Sequence, residues 1–376
     1  MNSNTGSEHV YDVIVVGLGA AGVGVGVALR HAGIENFIAL DRHRVGASFE
    51  RWPAEMRFIT PSFPTNSVGM LDINSVAIGV SPAFSLEVEH PTGKHYAAHL
   101  RGVAQFFELP TREQIDVTRI RQCDDLFHVE TDAETLLAKH VIWAGGDFQY
   151  PRKSVFAGSE HCRHIATIES YNDLEGDDYI VVGGYESGVD AAFHLAVRGK
   201  SVQLFDKDCP WVAETSDPSV ALSTYSIERM RTRKFKENVE LFPHTAINSV
   251  TCRDGVYEVT ATTGEVFRSQ SMPLFAGGFE GSHKMVSDMF EQREDGYPLL
   301  SEHDESTIAP GLFLCGPAVR HENEIFCFIY KYRQRFAVVA KAIATSLGLP
   351  AEYLETYRTW GMYLDDLSCC GEECVC

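Results

Sequence analysis

Apolar and polar positions along this chain follow two rhythms, and the points where one gives way to the other mark its architecture. Tyr11 to Val16 form a short, β-branched apolar run. Gly17 to Leu29 follow as a glycine-rich turn opening a helical pattern, and Phe37 to Leu40 make a second run ending in Asp41. Strand, turn, helix and strand in about 30 residues make a β-α-β unit. The rhythm returns at Tyr179 to Val182, Gly183 to Arg198 and Ser201 to Phe205, ending in Asp206. Two such units roughly 165 residues apart predict an α/β fold with two Rossmann-like domains.

Between the units, Val117 to Gln122 and Leu126 to Glu130 alternate as strands do. His140 to Gly146 and Ser271 to Phe279 each read as a buried strand ending in small residues, and Leu312 to Cys315 as another apolar strand. Apolar residues at 325, 326, 328, 329, 332, 336 and 339 predict one long amphipathic helix from about Asn323 to Leu347.

Composition narrows the function classes. With 376 residues, 44% of them hydrophobic and 22% charged, the chain can bury a sizeable core in two domains. A formal charge of −20 repels phosphate backbones and anionic lipid, so neither nucleic acid nor a membrane surface is an expected partner. Met1 to His9 lack the basic and apolar regions of a signal peptide, and no apolar stretch reaches the ~18 residues of a spanning helix, so a cytoplasmic location is expected.

Gly17, Gly19 and Gly22 form G-x-G-x-x-G directly after a strand and at the start of a helix. The first glycine allows the tight turn, the second lets backbone approach a pyrophosphate, and the third lets helix and sheet pack closely. The helix N-terminus offers its unsatisfied N–H groups to the anion. Asp41, nineteen residues beyond Gly22, suits a ribose diol.

On these motifs the chain resembles the two-dinucleotide-binding-domain flavoproteins, a class that includes thioredoxin reductases, bacillithiol disulfide reductases and flavin-containing monooxygenases. The likeness runs to about Leu347. It implies an FAD-binding domain from residues 1–150 and 276–350, an NAD(P)-binding-like domain over 151–275, and a cysteine-rich tail over 351–376. It also implies FAD contacts at Gly17, Gly19, Ala21, Gly22, Asp41, Arg42, Ser48, Phe49 and Thr60. Ala144-Gly145-Gly146 and Ala276-Gly277-Gly278 resemble the paired motifs joining the domains, and Leu312 to Gly316 the later FAD motif. Pro317 stands where the class places an aspartate for the flavin's ribityl chain.

The second glycine turn keeps Gly183 and Gly188, with Ser187 between them, but has Tyr185 in place of the middle glycine. Bulk there is expected to restrict a nicotinamide cofactor. Asp206 favours NADH over NADPH, with neighbouring Lys207 acting the other way.

Thioredoxin-reductase-like chemistry needs a cysteine pair beside the flavin, and the body of the chain has none. Cys315, alone in an apolar strand, reads as packing. The His161-Cys162-Arg163-His164 stretch fits no common zinc spacing, so no metal is expected there. Cys369, Cys370, Cys374 and Cys376 crowd the last eight residues and become the catalytic candidates. Adjacent cysteines form a strained, reducible ring. From Trp360 an extended tail spans up to ~50 Å, enough to reach a flavin cleft in its own subunit or, in a homodimer, its partner's. Glu372 and Glu373 oppose this by raising thiol pKa values.

The expected activity is therefore an FAD-dependent oxidoreductase carrying electrons from NADH or NADPH to a small-molecule, disulfide or thiol-bound acceptor. One alternative is a flavin monooxygenase, whose linker fingerprint is met at Phe156 and Gly158 but has Cys162 in the histidine position. The other is a redox-sensing or metal-binding flavoprotein without turnover.

Overall fold

The computed structural model describes residues 9–64, 71–215 and 217–368. The four tail cysteines, Cys369, Cys370, Cys374 and Cys376, lie outside the described residues.

The first unit runs β1 (Val10–Val16), α1 (Ala20–His31), β2 (Phe37–Asp41), α2 (Ala47–Glu50), α3 (Pro82–Leu86) and α4 (Gly93–Phe106). It continues through β3 (Thr111–Glu113), β4 (Val117–Cys123), β5 (Leu126–Thr131) and β6 (Thr135–Trp143). Next come β7 (Arg163–His164), β8 (Asp178–Val182), α5 (Glu186–Val197) and β9 (Ser201–Phe205), then α6 (Thr224–Arg231), α7 (Arg233–Asn238) and β10 (Val239–Phe242). The antiparallel strands β11 (Ile247–Arg253), β12 (Val256–Ala261) and β13 (Val266–Ser269) lead into β14 (Leu274–Phe275). The chain then returns to the first unit with β15 (Leu312–Leu314), the hairpin β16 (Arg320–His321) and β17 (Glu324–Ile325), α8 (Ile329–Tyr332) and α9 (Phe336–Ser346).

Seven strands form the first sheet in the order β3-β2-β1-β6-β5-β4, with β15 alongside β6. β1 lies parallel to β2 and β6, and its Val13 to Val16 are buried, as expected of a strand covered on both faces. α1 covers one face with ten buried residues, mostly Gly, Ala and Val. At Gly24 a Cβ would sit 2.1 Å from the Phe336 ring, so the bare backbone lets α1 and α9 pack at close range. The second sheet, β10-β9-β8-β14-β7, is parallel throughout, and the three-stranded β11-β12-β13 sheet closes a small core of Ile180, Val182, Phe205, Val250, Val259 and Phe275. One cleft lies beside the turn after β1 and the end of β6 in the first unit, and beside the first turn of α5 and the end of β14 in the second. No described helix is long and apolar enough to cross a membrane.

The long helix expected over Asn323 to Leu347 is broken. Glu322 takes a left-handed φ of 48°, which reverses the chain into the β16-β17 hairpin. A 3-10 turn over Arg333–Arg335 then separates α8 from α9. Its two arginines are drawn inward. Arg333 donates to the Asp72 and Ser75 carbonyls, and Arg335, 1% exposed, grips the fully buried Asp304 carboxylate with Nε–Oδ2 at 3.0 Å and Nη2–Oδ1 at 2.9 Å. Arg335 also donates to the Leu364 carbonyl at 2.5 Å, while Leu364 N–H returns to the Gln334 carbonyl at 3.0 Å, tying the C-terminal segment to this pair.

Candidate active site

The site starts at the turn after β1. Gly17 has φ 105°, and a Cβ there would lie 2.4 Å from the Ala144 carbonyl oxygen, so only glycine lets the chain turn so close to the end of β6. Gly19 is the N-cap of α1 and no side chain caps that helix, which leaves its first N–H groups directed at the cleft. A Cβ on Gly19 would meet no protein atom within 4 Å: the space beside it is kept free of protein. At Gly22 a Cβ would fall 1.8 Å from the Gly17 carbonyl oxygen, so this glycine seats the helix on the turn. Asp41 accepts from Leu18 N–H at 2.8 Å and His43 N–H at 2.7 Å, one bond per oxygen, which leaves lone pairs on both. An open cradle, uncapped N–H groups and an acidic strand end are the features an FAD diphosphate and ribose require, and the residues fit that group.

The cleft encloses about 340 Å³. Of the fifteen residues expected to hold the cofactors, Gly17, Gly19, Ala21, Asp41, Ser48, Phe49, Thr60, Ala144, Gly145 and Ser187 line it. The other five do not. Gly22 lies behind the turn. Arg42 is held by Gln149, at 2.9 Å, and Tyr150, at 2.5 Å, and reaches the cleft only through Gln149. Gly316, φ 112°, backs onto Ala21. Gly183 and Gly188 repeat the first turn's geometry in the second unit, with a Cβ on Gly188 falling 1.8 Å from the Gly183 carbonyl oxygen. One wall is aromatic: the Phe58 ring lies 5.7 Å from Phe49, 5.1 Å from Trp52 and 4.5 Å from Tyr96.

The second turn differs from expectation. The Tyr185 ring does not line the cleft; its hydroxyl donates to the Pro218 carbonyl, and the ring packs on the core beneath α5. A Cβ on Gly184 would lie 2.2 Å from the Trp211 ring, so the bare backbone there lets that ring pack on the turn. Asp206 accepts from the N–H groups of Gly184, Asp208 and Cys209 at 2.6, 2.7 and 2.7 Å, which fixes the strand end. α5, like α1, has no side-chain cap.

Several other residues also line the cleft. The Asp147 carboxyl accepts from the Phe148 N–H, and burial pushes its pKa up. It shares the cleft with Pro317. Glu186 accepts from Ser223 N–H and Ser226 Oγ, both at 2.5 Å, and burial raises it as well. Asp190 faces Arg229 and Tyr171; burial works to raise its pKa, but His194 and Arg229 together hold it below the usual carboxylate value. His164 accepts from Ala166 N–H at 3.2 Å, and burial lowers its pKa.

Among the described cysteines only Cys327 lines the cleft, its Sγ 3.4 Å from Ser219 Oγ and its pKa raised by burial. Cys315, 3% exposed in the first core, has its thiol pushed well up and serves as packing. Cys162 is pushed up to about 12, mainly by burial. The described residues contain no cluster of three His, Cys, Asp or Glu suited to a metal.

The family model for pyridine nucleotide-disulphide oxidoreductases matches residues 14–316. The oxidoreductase CzcO of Bacillus velezensis is 27% identical over 192 residues, 50% of this chain and 52% of that protein, so the chain spans about half the length of this relative in the match. Bacilliredoxin reductase Bdr of Bacillus subtilis is 22% identical over 325 residues, covering 83% of this chain and 92% of that protein. Bacillithiol disulfide reductase Bdr from Bacillus cereus superposes with a TM-score of 0.73 at 20% identity, over 90% of this chain and 100% of that one. A flavin-containing monooxygenase from Stenotrophomonas maltophilia gives 0.69 at 14%, over 89% and 98%. These structural likenesses establish a shared fold.

Proposed function

We propose that this chain, which belongs to the pyridine nucleotide-disulphide oxidoreductase family, passes electrons from a nicotinamide cofactor to a disulfide-type or thiol-bound acceptor. It is an FAD-dependent NAD(P)H oxidoreductase. The observation that carries the reading is the single cleft bordered by the α1 turn on one side and by Ser187 of the α5 turn on the other. FAD held there supplies a carrier for two electrons between a reduced nicotinamide and the acceptor.

The chain's own residues divide the work. The N–H groups at the start of α1, beside Gly19, hold the diphosphate, and the free lone pairs of Asp41 take the ribose hydroxyls. Ser48 and Thr60 offer hydroxyls along the same wall. The aromatic group of Phe49, Trp52 and Phe58 keeps water from that side. Asp147 offers a carboxyl on the cleft beside Pro317, with its pKa raised by burial. At the second turn the uncapped α5 N-terminus and Ser187 face the nicotinamide cofactor, and the Asp206 charge favours NADH over a 2′-phosphorylated form.

The FAD unit then comprises 1–150 with 276–350 and the nicotinamide unit 151–275, in a cytoplasmic protein. With Cys327 the sole described thiol on the cleft, a reducible pair would come from Cys369, Cys370, Cys374 and Cys376. Anaerobic titration with NADH and NADPH tests the reading: bleaching of the flavin supports it, and a flavin untouched by either nicotinamide refutes it. The lone Cys327 also favours a second reading, a monooxygenase, which needs no protein thiol. One oxygen atom placed in an organic product per nicotinamide oxidised, without release of hydrogen peroxide and unchanged when residues 368–376 are deleted, would select it.

A further inference from the structure

The turn Pro53-Ala54-Glu55-Met56 leaves the aromatic wall of the first unit and reaches into the second. Met56 packs against the core beneath α5, and Ala54 N–H donates to the Glu169 carbonyl at 2.8 Å. Between them the Glu55 carboxylate, its side chain 14% exposed, collects four donors from the second unit. These are Ser170 Oγ at 2.6 Å, Tyr171 N–H at 3.0 Å, Asn172 Nδ2 at 2.7 Å and Arg198 Nη2 at 3.1 Å. All the donors face one carboxylate, which suits a charged acceptor and no other side chain of that length. Burial acts to raise the Glu55 pKa, but the Ser170 and Tyr171 bonds with the Arg198 charge hold it below the usual value.

Arg198 is the C-cap of α5, and Ser187 stands in the first turn of the same helix, on the cleft. The helix is 12 residues long, hence a lever of about 18 Å, and a 10° rotation about its Arg198 end carries the N-terminal turn about 3 Å. Displacements of about 1 Å between reacting groups lower rates by up to about a hundredfold. The flanking residues Trp52, Pro53, Met56, Arg57 and Phe58 all line the cleft, so the turn that grips the second unit is also part of the first unit's binding wall.

We propose that Glu55 is a positioning residue, which orients the second unit so that the α5 turn faces the α1 turn across the cleft. The proposal rests on the reading that both turns serve one redox reaction. The test uses the FAD-loaded chain with Cys369, Cys370, Cys374 and Cys376 changed to serine, into which Glu55→Ala is introduced. FAD content and bleaching by dithionite, which needs no nicotinamide site, stay at the parent level. The limiting rate of flavin bleaching by NADH falls at least tenfold, with a less than threefold change in the half-saturating NADH concentration. Small-angle scattering shows a larger maximum dimension. Adding Ala54→Cys and Glu169→Cys, whose backbones already meet, and oxidising the pair, verified by mass spectrometry, restores both rate and dimension. Parental rate and scattering in Glu55→Ala would overturn the proposal, as would a verified tether that restores neither. If the parent is not bleached by NADH or NADPH, the functional reading fails, and the scattering comparison alone decides whether Glu55 sets the orientation.

Discussion

Substituting the first turn's glycines one at a time separates cofactor binding from folding. At Gly19 a new Cβ meets no protein atom within 4 Å, whereas at Gly22 it lands 1.8 Å from the Gly17 carbonyl oxygen. Gly19→Val therefore changes the apoprotein's melting temperature by only a few degrees, since the Cβ meets no protein atom and the weaker N-cap preference of valine costs about 1 kcal/mol. It does displace the diphosphate from the α1 N–H groups. Loss of one charge-assisted hydrogen bond, about 1.5–3 kcal/mol, weakens FAD binding roughly 10- to 150-fold, and loss of two abolishes it at micromolar FAD. Gly22→Ala instead forces the turn and α1 apart by about 1.5 Å, an overpacking that costs about 1–3 kcal/mol, so stability and FAD affinity fall together. The assay is quenching of FAD fluorescence on titration into apoprotein, with calorimetric melting of the same preparations. Wild-type FAD affinity in Gly19→Val would refute the assignment of this turn as the cradle.

Three further outcomes are expected. Asp304→Asn leaves the buried Arg335 guanidinium without its counter-charge and costs about 3–5 kcal/mol, read as a lower melting temperature in the FAD-loaded protein. Burial works to raise the Asp304 pKa, but Arg335 and His321 hold it below its unfolded value. Its stabilisation is therefore present above the unfolded carboxylate range and lost as pH falls through the folded value, and the variant should show a flatter acid limb in melting against pH. Changing all four tail cysteines to serine should reduce the electrons taken up at full reduction to the two a flavin holds, with FAD content unchanged; equal uptake in both proteins removes the tail from the chemistry. Maleimide should label the exposed Cys123 and Cys252 in native protein and spare the buried Cys315, checked by peptide mass spectrometry.

The two β-α-β units were legible because their signals are local: an apolar run, glycines at fixed spacing and a terminal acid within one stretch of chain. Periodicity misled between Asn323 and Leu347, where the apolar spacing is real but Glu322 reverses the chain and Arg333 and Arg335 turn inward to partners on distant loops. At Tyr185 the sequence gives bulk at the position but not the Pro218 carbonyl that its hydroxyl reaches. Asp147 and Cys327 belong to no spacing pattern, and only tertiary packing brings them to the cleft. Glu55 lies 115 to 143 residues from its side-chain donors, a separation at which one chain read alone carries no pairing signal.

The way β6 is flanked sets a schedule for biosynthesis. Its leading half pairs with β5 and its trailing residues, Val141 to Trp143, pair with β15, which leaves the ribosome some 170 residues later. At about 5–20 residues per second, that edge of the sheet waits roughly 10–35 s for its neighbour. In that interval the intervening unit, whose sheet is complete once β14 emerges, can fold first. The nascent chain therefore carries an apolar edge beside the future cofactor cradle until Leu312–Leu314 arrive, and that edge is where a chaperone, or an unwanted strand from a neighbouring chain, would find its opening.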